Sequence, residues 1–268
     1  MARRFLYQPR GRANETHAFV AGRTDGLWAI NHASGCSHGC KYPCYAWQRQ
    51  ETLRSRTYDQ WRQPVVYEEA PTIVQQELKR VQGVKDVELC FTTDPYMYGN
   101  MDMITTSNAL LRLLTDQGIK VTVLTKGDLT DAIGAERGIV PQRVRYGITL
   151  VSLDETWRQT WEPGAAPLAE RIRGLRLKHD QGFDTWVSIE PFPPQQFFTH
   201  KACDLLRAVP FVNKAILGRW NYANLYGDAE WYAAAAIEFM DTCKQIGIKG
   251  YVKADIAAVK LKDGDRDD

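Results

Sequence analysis

The chain has 268 residues, of which 44% are hydrophobic and 25% are charged, and its formal net charge is +2. It is long enough for one α/β domain of barrel size, which we favour over two smaller domains. The charge is too small to indicate nucleic acid by itself, and no apolar run approaches the roughly 18 residues that a membrane span needs. We therefore expect a cytoplasmic protein without membrane contact.

The charges are distributed unevenly between the two ends of the sequence. Residues 1–26 form a predicted basic arm, and residues 257–268 form a predicted acidic tail. A basic arm with Phe5 and Tyr7 interleaved could contact a phosphate backbone, although such arms are common in proteins that bind no nucleic acid. The main domain is predicted over 27–256, and nucleic acid remains a possible partner.

Short β-rich runs alternate with helical patterns along the main domain, which is typical of parallel βαβ units. The predicted strands are Leu27–Ala33, Val87–Thr92, Val121–Thr125, Val144–Leu150, Thr185–Ile189, Lys214–Leu217 and Gly250–Val252. The predicted helices are Thr72–Val81, Ile104–Gln117, Leu168–Asp180, Thr199–Ala208 and Ala229–Ile246. The pattern indicates a single α/β domain, closed or partly open as a barrel of six or seven strands.

Polar side chains follow the predicted strands, where a parallel sheet places its chemistry. These residues are Asp94, Lys126, Ser152, Asp154, Glu190, Arg219 and Lys253. The alternative is that these residues have no functional role and are polar because residues at strand ends are often solvated. That alternative explains part of the set.

Three of the six cysteines lie within nine residues, directly after the first predicted strand. Clustered thiols in a reducing compartment usually bind metal. Cys36, Cys40 and Cys44 could hold one 4Fe-4S cluster and leave its fourth iron open. A zinc site is the alternative, with His32 or His38 as the fourth ligand.

Several motifs in a shared order resemble one enzyme family. The run GCSHGC followed by CYA over residues 35–46 is joined by Thr93–Tyr96, Leu124–Lys126 and Trp161–Gly164, with Glu170 and Arg171 beyond. Together they resemble the spore photoproduct lyase-like branch of the radical S-adenosylmethionine (radical SAM) enzymes. One departure is an additional residue between Cys40 and Cys44, where the family usually has two.

The resemblance implies a fold, two cofactors and a reaction. The fold is a partial (β/α)6 parallel barrel, and the cofactors are a 4Fe-4S cluster and S-adenosylmethionine. Reduction of the cluster, by an electron donor such as flavodoxin or ferredoxin, would cleave S-adenosylmethionine to a 5'-deoxyadenosyl radical. That radical abstracts a hydrogen atom from a substrate, which could be a nucleotide or a nucleic acid.

The resemblance also implies roles for residues at the strand ends. Thr92, Thr93 and Asp94 lie where this superfamily contacts the methionyl amine. Lys126 could neutralise the methionyl carboxylate. The Ser152 hydroxyl could contact the ribose or carboxylate, and Tyr45 could pack near the adenine. Each also has a structural alternative as a turn, a loop residue or a shield of the cluster.

Cys90 lies in the second predicted strand, near the place where related repair lyases carry a cysteine that returns a hydrogen atom to the product radical. By two-residue alternation it shares a face with Glu88 and Thr92. If that face lines the barrel, Cys90 points at the substrate. The alternative is a buried, inert thiol, which is also the interpretation for Cys203 and Cys243.

Three hypotheses follow from these observations. The first is a radical SAM enzyme whose substrate is unidentified. The second is a zinc-stabilised nucleic-acid-binding protein. The third is an iron-sulfur electron carrier or sensor without turnover. Aromatic residues near the strand ends, including Trp61, Tyr96 and the segment Gly218–Tyr222, are predicted to surround a substrate.

Overall fold

The computed structural model describes residues 3–8, 27–48, 56–132, 136–220, 229–253 and 256. Its centre is a sheet of eight strands, of which seven are parallel and one, at the edge, is antiparallel. In sheet order these are β1 (Leu6–Tyr7), β2 (Leu27–Ile30), β5 (Asp86–Leu89), β6 (Lys120–Thr125), β7 (Val144–Thr149), β8 (Asp184–Phe192), β9 (Lys214–Arg219) and β10 (Lys249–Val252).

Helices follow the parallel strands, as a βαβ chain requires. They are α1 (Tyr58–Trp61), α2 (Ala70–Leu78), α3 (Met101–Asp116), α4 (Glu155–Trp161), α5 (Leu168–Asp180), α6 (Ala202–Ala208) and α7 (Ala229–Ile246). Residues 45–48 are also helical, and two 3₁₀ turns lie at Leu129–Ala132 and Pro141–Arg143. This architecture confirms the predicted α/β partial barrel and all seven predicted parallel strands. No helix in these ranges is long and apolar enough to cross a membrane.

Apolar side chains from one face of each strand and from the packed helices form the main core. In β7, Val144, Tyr146 and Ile148 belong to that core, whereas Arg145 between them faces the other way. Arg145 contacts Asp86 of β5 at 2.9 Å and Asp184 of β8 at 3.8 Å. Arg145 also donates to Thr122 of the intervening strand β6 at 3.1 Å, so its side chain contacts strands on both sides of β7 on the face opposite the main core. The inner face of the barrel is therefore polar here.

The inner face carries a second ion pair at the other end of the strands. Lys253, directly after β10, binds Glu190 of β8 at 2.6 Å, although β9 lies between these two strands. The bridge passes over Gly218, where a Cβ atom would lie 2.7 Å from Cδ of Glu190. Glycine at position 218 is therefore required for Glu190 to reach Lys253.

The predicted basic arm is partly incorporated in the sheet. Leu6 and Tyr7 pair antiparallel with Ile30 and Ala29, and Phe5 and Leu6 are buried. Leu6 and Tyr7, within the predicted basic arm, thus form an edge strand of the sheet. Residues 9–26 and the predicted acidic tail 257–268 lie outside the described residues.

Several element boundaries differ from the sequence predictions, two of them for clear local reasons. The strand predicted to end at Thr92 ends at Leu89, because Cys90 has a φ of +63° and leaves the extended conformation. Helix α3 begins three residues earlier than predicted, since the Asn100 side chain caps it by accepting from the Met103 backbone N–H. A two-stranded hairpin of β3 (Ala33–Ser34) and β4 (Val65–Val66) was not predicted.

Candidate active site

The three clustered cysteines lie on a loop that follows the hairpin strand β3, and all three are half-buried free thiols. The loop begins at Gly35, whose φ is +99° and where a Cβ atom would lie 2.6 Å from the Trp61 carbonyl oxygen. The Cys36 backbone N–H donates to that same carbonyl at 2.9 Å. Glycine at position 35 therefore lets the loop lie directly against α1.

A second segment, Trp161–Gly164, holds the loop from the other side. The Lys41 backbone N–H donates to the Trp161 carbonyl at 2.8 Å, and the Gly164 N–H donates to the His38 carbonyl at 2.9 Å. A Cβ atom at position 164 would collide with the Ser37 carbonyl oxygen. These contacts explain why the Trp-Glu-Pro-Gly motif accompanies the cysteine motif in the sequence.

Beneath the loop lies a buried charged network. The Tyr42 hydroxyl, between two of the cysteines, donates to Oε1 of Glu162 at 2.8 Å. Arg171 binds Oε2 of Glu162 at 2.7 Å, and both side chains are 1% exposed or less. Arg171 also donates to the backbone carbonyls of Ala166 and Thr149. Sequence analysis identified the motifs that contain Glu162 and Arg171 but did not predict this pairing.

Lys126, at the end of β6, directs its charge toward the cysteine loop. Its Nζ lies 5.6 Å from the centre of the Tyr42 ring. Burial alone would lower the pKa of Lys126, but the neighbouring Cys40, Glu162 and Cys44 raise it overall. A permanent positive charge therefore lies beside two of the three cysteines.

The inner side of the loop is fastened by His38 and Asp94. The Tyr98 backbone N–H can only donate, and it lies 3.0 Å from Nε2 of His38, so the ring hydrogen of neutral His38 is on Nδ1. That Nδ1 lies 3.4 Å from Oδ2 of Asp94. Asp94 also accepts from the Thr125 hydroxyl at 2.6 Å and from the Lys126 backbone N–H at 2.9 Å.

These contacts change the acidity of Asp94. Burial alone would raise its pKa, but His38 and the hydrogen bonds from Thr125 and Lys126 lower it to about 2. The pKa of an unfolded aspartate is about 4, so the ionised carboxylate stabilises the folded state fully above that pH. This stabilisation is lost as the pH falls from about 4 to about 2.

We expect Asp94→Asn to lower the free energy of unfolding at pH 7 by about 2 to 3 kcal/mol, because the carboxylate loses its charge-assisted hydrogen bonds. The difference in the free energy of unfolding between the variant and wild type should become smaller below about pH 4. Urea unfolding of the metal-free chain at several pH values measures it, with the surface variant Asp116→Asn as the control. A difference that stays constant down to pH 2 would contradict this assignment.

The predicted cofactor-binding threonines differ in their contacts. The Thr93 hydroxyl donates to the Gly35 carbonyl at 2.5 Å and thus helps to hold the cysteine loop. The Thr92 backbone N–H donates to the Asn31 side chain at 2.9 Å, and its hydroxyl makes no hydrogen bond to any described residue. Thr93 and Asp94 are thus engaged within the chain, whereas the Thr92 side chain is available to a ligand.

Ser152 and Tyr45 occupy different environments. Ser152 is 1% exposed, its Oγ lies 2.7 Å from the Thr199 hydroxyl oxygen, and it accepts from the Asp154 backbone N–H at 2.9 Å. These contacts indicate a structural role at the start of α4. Tyr45 is half-buried and lies edge-on to Phe91, with 5.8 Å between the ring centres.

Cys90 lies just beyond the end of β5, so the two-residue alternation that grouped it with Glu88 does not extend to it. Its positive φ interrupts the strand, and its thiol lies 3.4 Å from Nδ1 of buried His32.

Of the aromatic residues predicted to surround a substrate, Trp61 and Tyr96 are buried in the interior. Trp220 is buried against Tyr42, with 5.5 Å between the ring centres. Asn221 and Tyr222, at the end of the predicted segment, lie outside the described residues.

The donor set of the loop suits an iron-sulfur cluster better than a zinc ion. A zinc ion draws four ligands to about 2.0 to 2.3 Å, whereas each cysteine of a cluster binds its own iron. Both predicted fourth ligands are engaged, His38 by Asp94 and Tyr98, and His32 by Ser107 and Cys90.

Comparisons with known sequences give limited information. No family model matches the sequence. The uncharacterized protein ORF301 of Acidianus two-tailed virus is 26% identical over 176 residues, which cover 63% of this chain and 57% of the viral protein. The chain thus spans little more than half the length of that curated relative.

Comparisons of structure are more informative. A variant of spore photoproduct lyase with bound AdoMet and dinucleoside spore photoproduct matches with a TM-score of 0.60 and 15% identity, over 84% of this chain and 75% of that one. SuiB of Streptococcus suis, bound to S-adenosylmethionine, matches with a TM-score of 0.54 and 13% identity, over 85% and 47%. The chain has the radical SAM fold of spore photoproduct lyase. In this radical SAM fold the cysteine loop lies at the carboxyl end of β2.

Proposed function

We propose that the chain is a radical SAM enzyme in which Cys36, Cys40 and Cys44 bind a 4Fe-4S cluster. The observation that carries this proposal is the cysteine loop itself, which two distant segments and a buried charged network hold at the carboxyl ends of the parallel strands. When bound, the cluster supplies the electron that cleaves S-adenosylmethionine to methionine and a 5'-deoxyadenosyl radical. We expect flavodoxin or ferredoxin to provide that electron in a reducing compartment such as the cytoplasm.

The residues around the loop can bind and orient the S-adenosylmethionine. Lys126 would pair with the methionyl carboxylate, because its charge already faces the cysteines. The free Thr92 hydroxyl would contact the methionyl amine, while Thr93 and Asp94 hold the loop in place. Tyr45 would pack near the adenine. We assign Ser152 no contact with the cofactor, since its hydroxyl already binds the chain.

The substrate we favour is a nucleotide or a nucleic acid. A matching spore photoproduct lyase structure contains a dinucleoside spore photoproduct, which supports this class of substrate. The inner face of this chain offers paired donors and acceptors, such as Glu190 and Lys253, that suit the edge of a base. Cys90 remains a predicted hydrogen donor, and that role requires its thiol to reach the substrate.

Anaerobic reconstitution followed by an assay for 5'-deoxyadenosine tests the proposed function. We expect about four iron and four sulfide ions per chain, and formation of 5'-deoxyadenosine when dithionite and S-adenosylmethionine are added. About one zinc per chain and no colour would support the nucleic-acid-binding alternative. A cluster whose spectrum does not respond to S-adenosylmethionine would support an electron carrier or sensor.

Lys126→Met is expected to weaken the binding of S-adenosylmethionine to the reconstituted protein by about 10- to 100-fold, since one charge-assisted contact contributes about 1.5 to 3 kcal/mol. Isothermal titration under anaerobic conditions measures this affinity. Lys120→Met, at the exposed beginning of the same strand, is the matched control and should leave the affinity unchanged. Equal affinities for the two variants, at equal iron content, would rule out the proposed role of Lys126.

A further inference from the structure

Ser37 lies in the cysteine loop, directly after Cys36, and carries a hydroxyl without a partner in the chain. Its Oγ atom is buried and makes no hydrogen bond to any described residue. Serine hydroxyls in turns usually bond to the neighbouring backbone, and a buried hydroxyl without a partner destabilises a folded chain. The burial of this hydroxyl therefore indicates a partner that does not belong to the described chain.

The other buried polar atoms without a hydrogen bond differ from the Ser37 hydroxyl. Four of them belong to charged groups that are held in ion pairs, namely those of Asp86, Glu136, Glu162 and Arg171. A serine hydroxyl has a single oxygen, so no second atom of the group can form a bond in its place. The whole polar group of Ser37 is thus unpaired in the described structure.

Contacts on both sides of Ser37 fix its backbone. Before it, Gly35 has a φ of +99° and lies directly against the Trp61 carbonyl oxygen. After it, the His38 carbonyl accepts from the Gly164 N–H at 2.9 Å, and the Ser37 carbonyl itself lies against Gly164. Turning the hydroxyl out to solvent would therefore break the contacts that hold the cysteine loop.

The same turn already directs one donor at a cysteine sulfur. The His38 backbone N–H donates to the sulfur of Cys36. Ser37 is the residue between these two, so its hydroxyl is a second donor within the turn. Hydrogen bonds to the sulfurs of an iron-sulfur cluster help to set its reduction potential. They raise it, because the reduced cluster carries one more negative charge and gains more from each donor.

We propose that the Ser37 hydroxyl donates a hydrogen bond to a sulfur of the bound cluster and thereby raises its reduction potential. This inference rests on the proposed function, because it requires the cluster on Cys36, Cys40 and Cys44. The hydroxyl keeps its hydrogen throughout, and the one electron that enters the cluster comes from the external donor. A higher potential makes that reduction more favourable.

An anaerobic redox titration of the reconstituted protein tests the effect on the potential. In Ser37→Ala the ratio of reduced to oxidised cluster at a fixed solution potential should fall about 3- to 10-fold, the effect of one hydrogen bond. A tenfold change corresponds to 59 mV for one electron, so the midpoint should become about 30 to 60 mV more negative. The EPR signal of the reduced cluster measures the ratio.

Two further variants serve as controls for the titration. Ser34→Ala removes another buried hydroxyl just before the loop, but that hydroxyl accepts from the Arg56 side chain at 2.9 Å, so the potential should stay as in wild type. Ser37→Thr retains the donor and should keep the potential close to that of wild type. An unchanged potential in Ser37→Ala, or an equal shift in Ser34→Ala, would overturn the proposal.

Stability separates a contact with the cluster from a contact within the chain. In the metal-free chain, Ser37→Ala removes an unpaired hydroxyl, so the urea midpoint should equal or exceed that of wild type. In the reconstituted protein, the same change should accelerate the release of iron to a chelator. A lower urea midpoint of metal-free Ser37→Ala would overturn the proposal, because the hydroxyl would then have a partner without the cluster.

These measurements also separate the inference from the proposed function. If the wild-type chain binds no 4Fe-4S cluster, the proposed function fails and the inference fails with it. If the wild-type cluster forms and responds to S-adenosylmethionine but Ser37→Ala has the wild-type potential, only the inference fails. If Ser37→Ala binds no cluster, the urea midpoint of its metal-free form decides the outcome.

Discussion

Replacement of Cys40 by alanine is expected to remove the cluster and to reduce the formation of 5'-deoxyadenosine to the background of the assay. Cys40 is the middle one of the three thiols, and the Tyr58 hydroxyl, which donates to the neighbouring Gly39 carbonyl at 2.6 Å, holds its part of the loop. Without it, two of the three proposed ligands, Cys36 and Cys44, remain on the loop. Iron content, the visible spectrum and dithionite-driven product formation measure the effect.

The control for this experiment is Cys203→Ala. Cys203 is a buried free thiol in α6, where its sulfur contacts Arg207 at 3.5 Å. Its replacement should leave iron content and product formation as in wild type. If Cys40→Ala retains a full cluster and normal product formation, the assignment of the three ligands is wrong.

The second large effect is expected on stability, from the buried ion pair beneath the loop. Arg171→Met should lower the free energy of unfolding by about 3 to 5 kcal/mol, because it leaves the Glu162 carboxylate buried without its partner. Burial alone would raise the pKa of Glu162, and Arg171 and Lys126 overcome that effect. Urea unfolding of the metal-free chain at neutral pH measures the loss.

Arg173→Met in the same helix is the matched control. Its guanidinium lies 3.2 Å from Asp128, but the side chain is 66% exposed, so the change should cost less than about 1 kcal/mol. Similar losses in the two variants would show that helix α5 responds to any change of charge. In that case the buried pair would have no special contribution.

The sequence was sufficient to place the seven parallel strands along the chain, because their apolar runs recur with helices between them. The strand β1 was not predicted, since two residues are too few to show a period and arginines precede them. Its place in the sheet depends on the burial of Phe5 and Leu6 against distant residues. Tertiary contact, and not local propensity, forms that edge.

The candidate site could be predicted only in part. The cysteine spacing identified the loop, and the shared motifs identified the segments that contact it. The pairing of Glu162 with Arg171 was not accessible, because sequence does not tell which charged residues of a helix are buried. The orientation of Cys90 was also inaccessible, since its positive φ ends the extended conformation on which the alternation depends.

The contacts of the Trp161–Gly164 segment have a consequence for biosynthesis. The Tyr42 hydroxyl and its partner Glu162 are 120 residues apart in the chain. When only the first half of the protein has been synthesised, the cysteine loop therefore lacks its contacts with the Trp161–Gly164 segment. If the chain binds the proposed cluster in a formed loop, we expect cluster insertion to follow translation of α4 and α5 and to take place on a nearly complete domain.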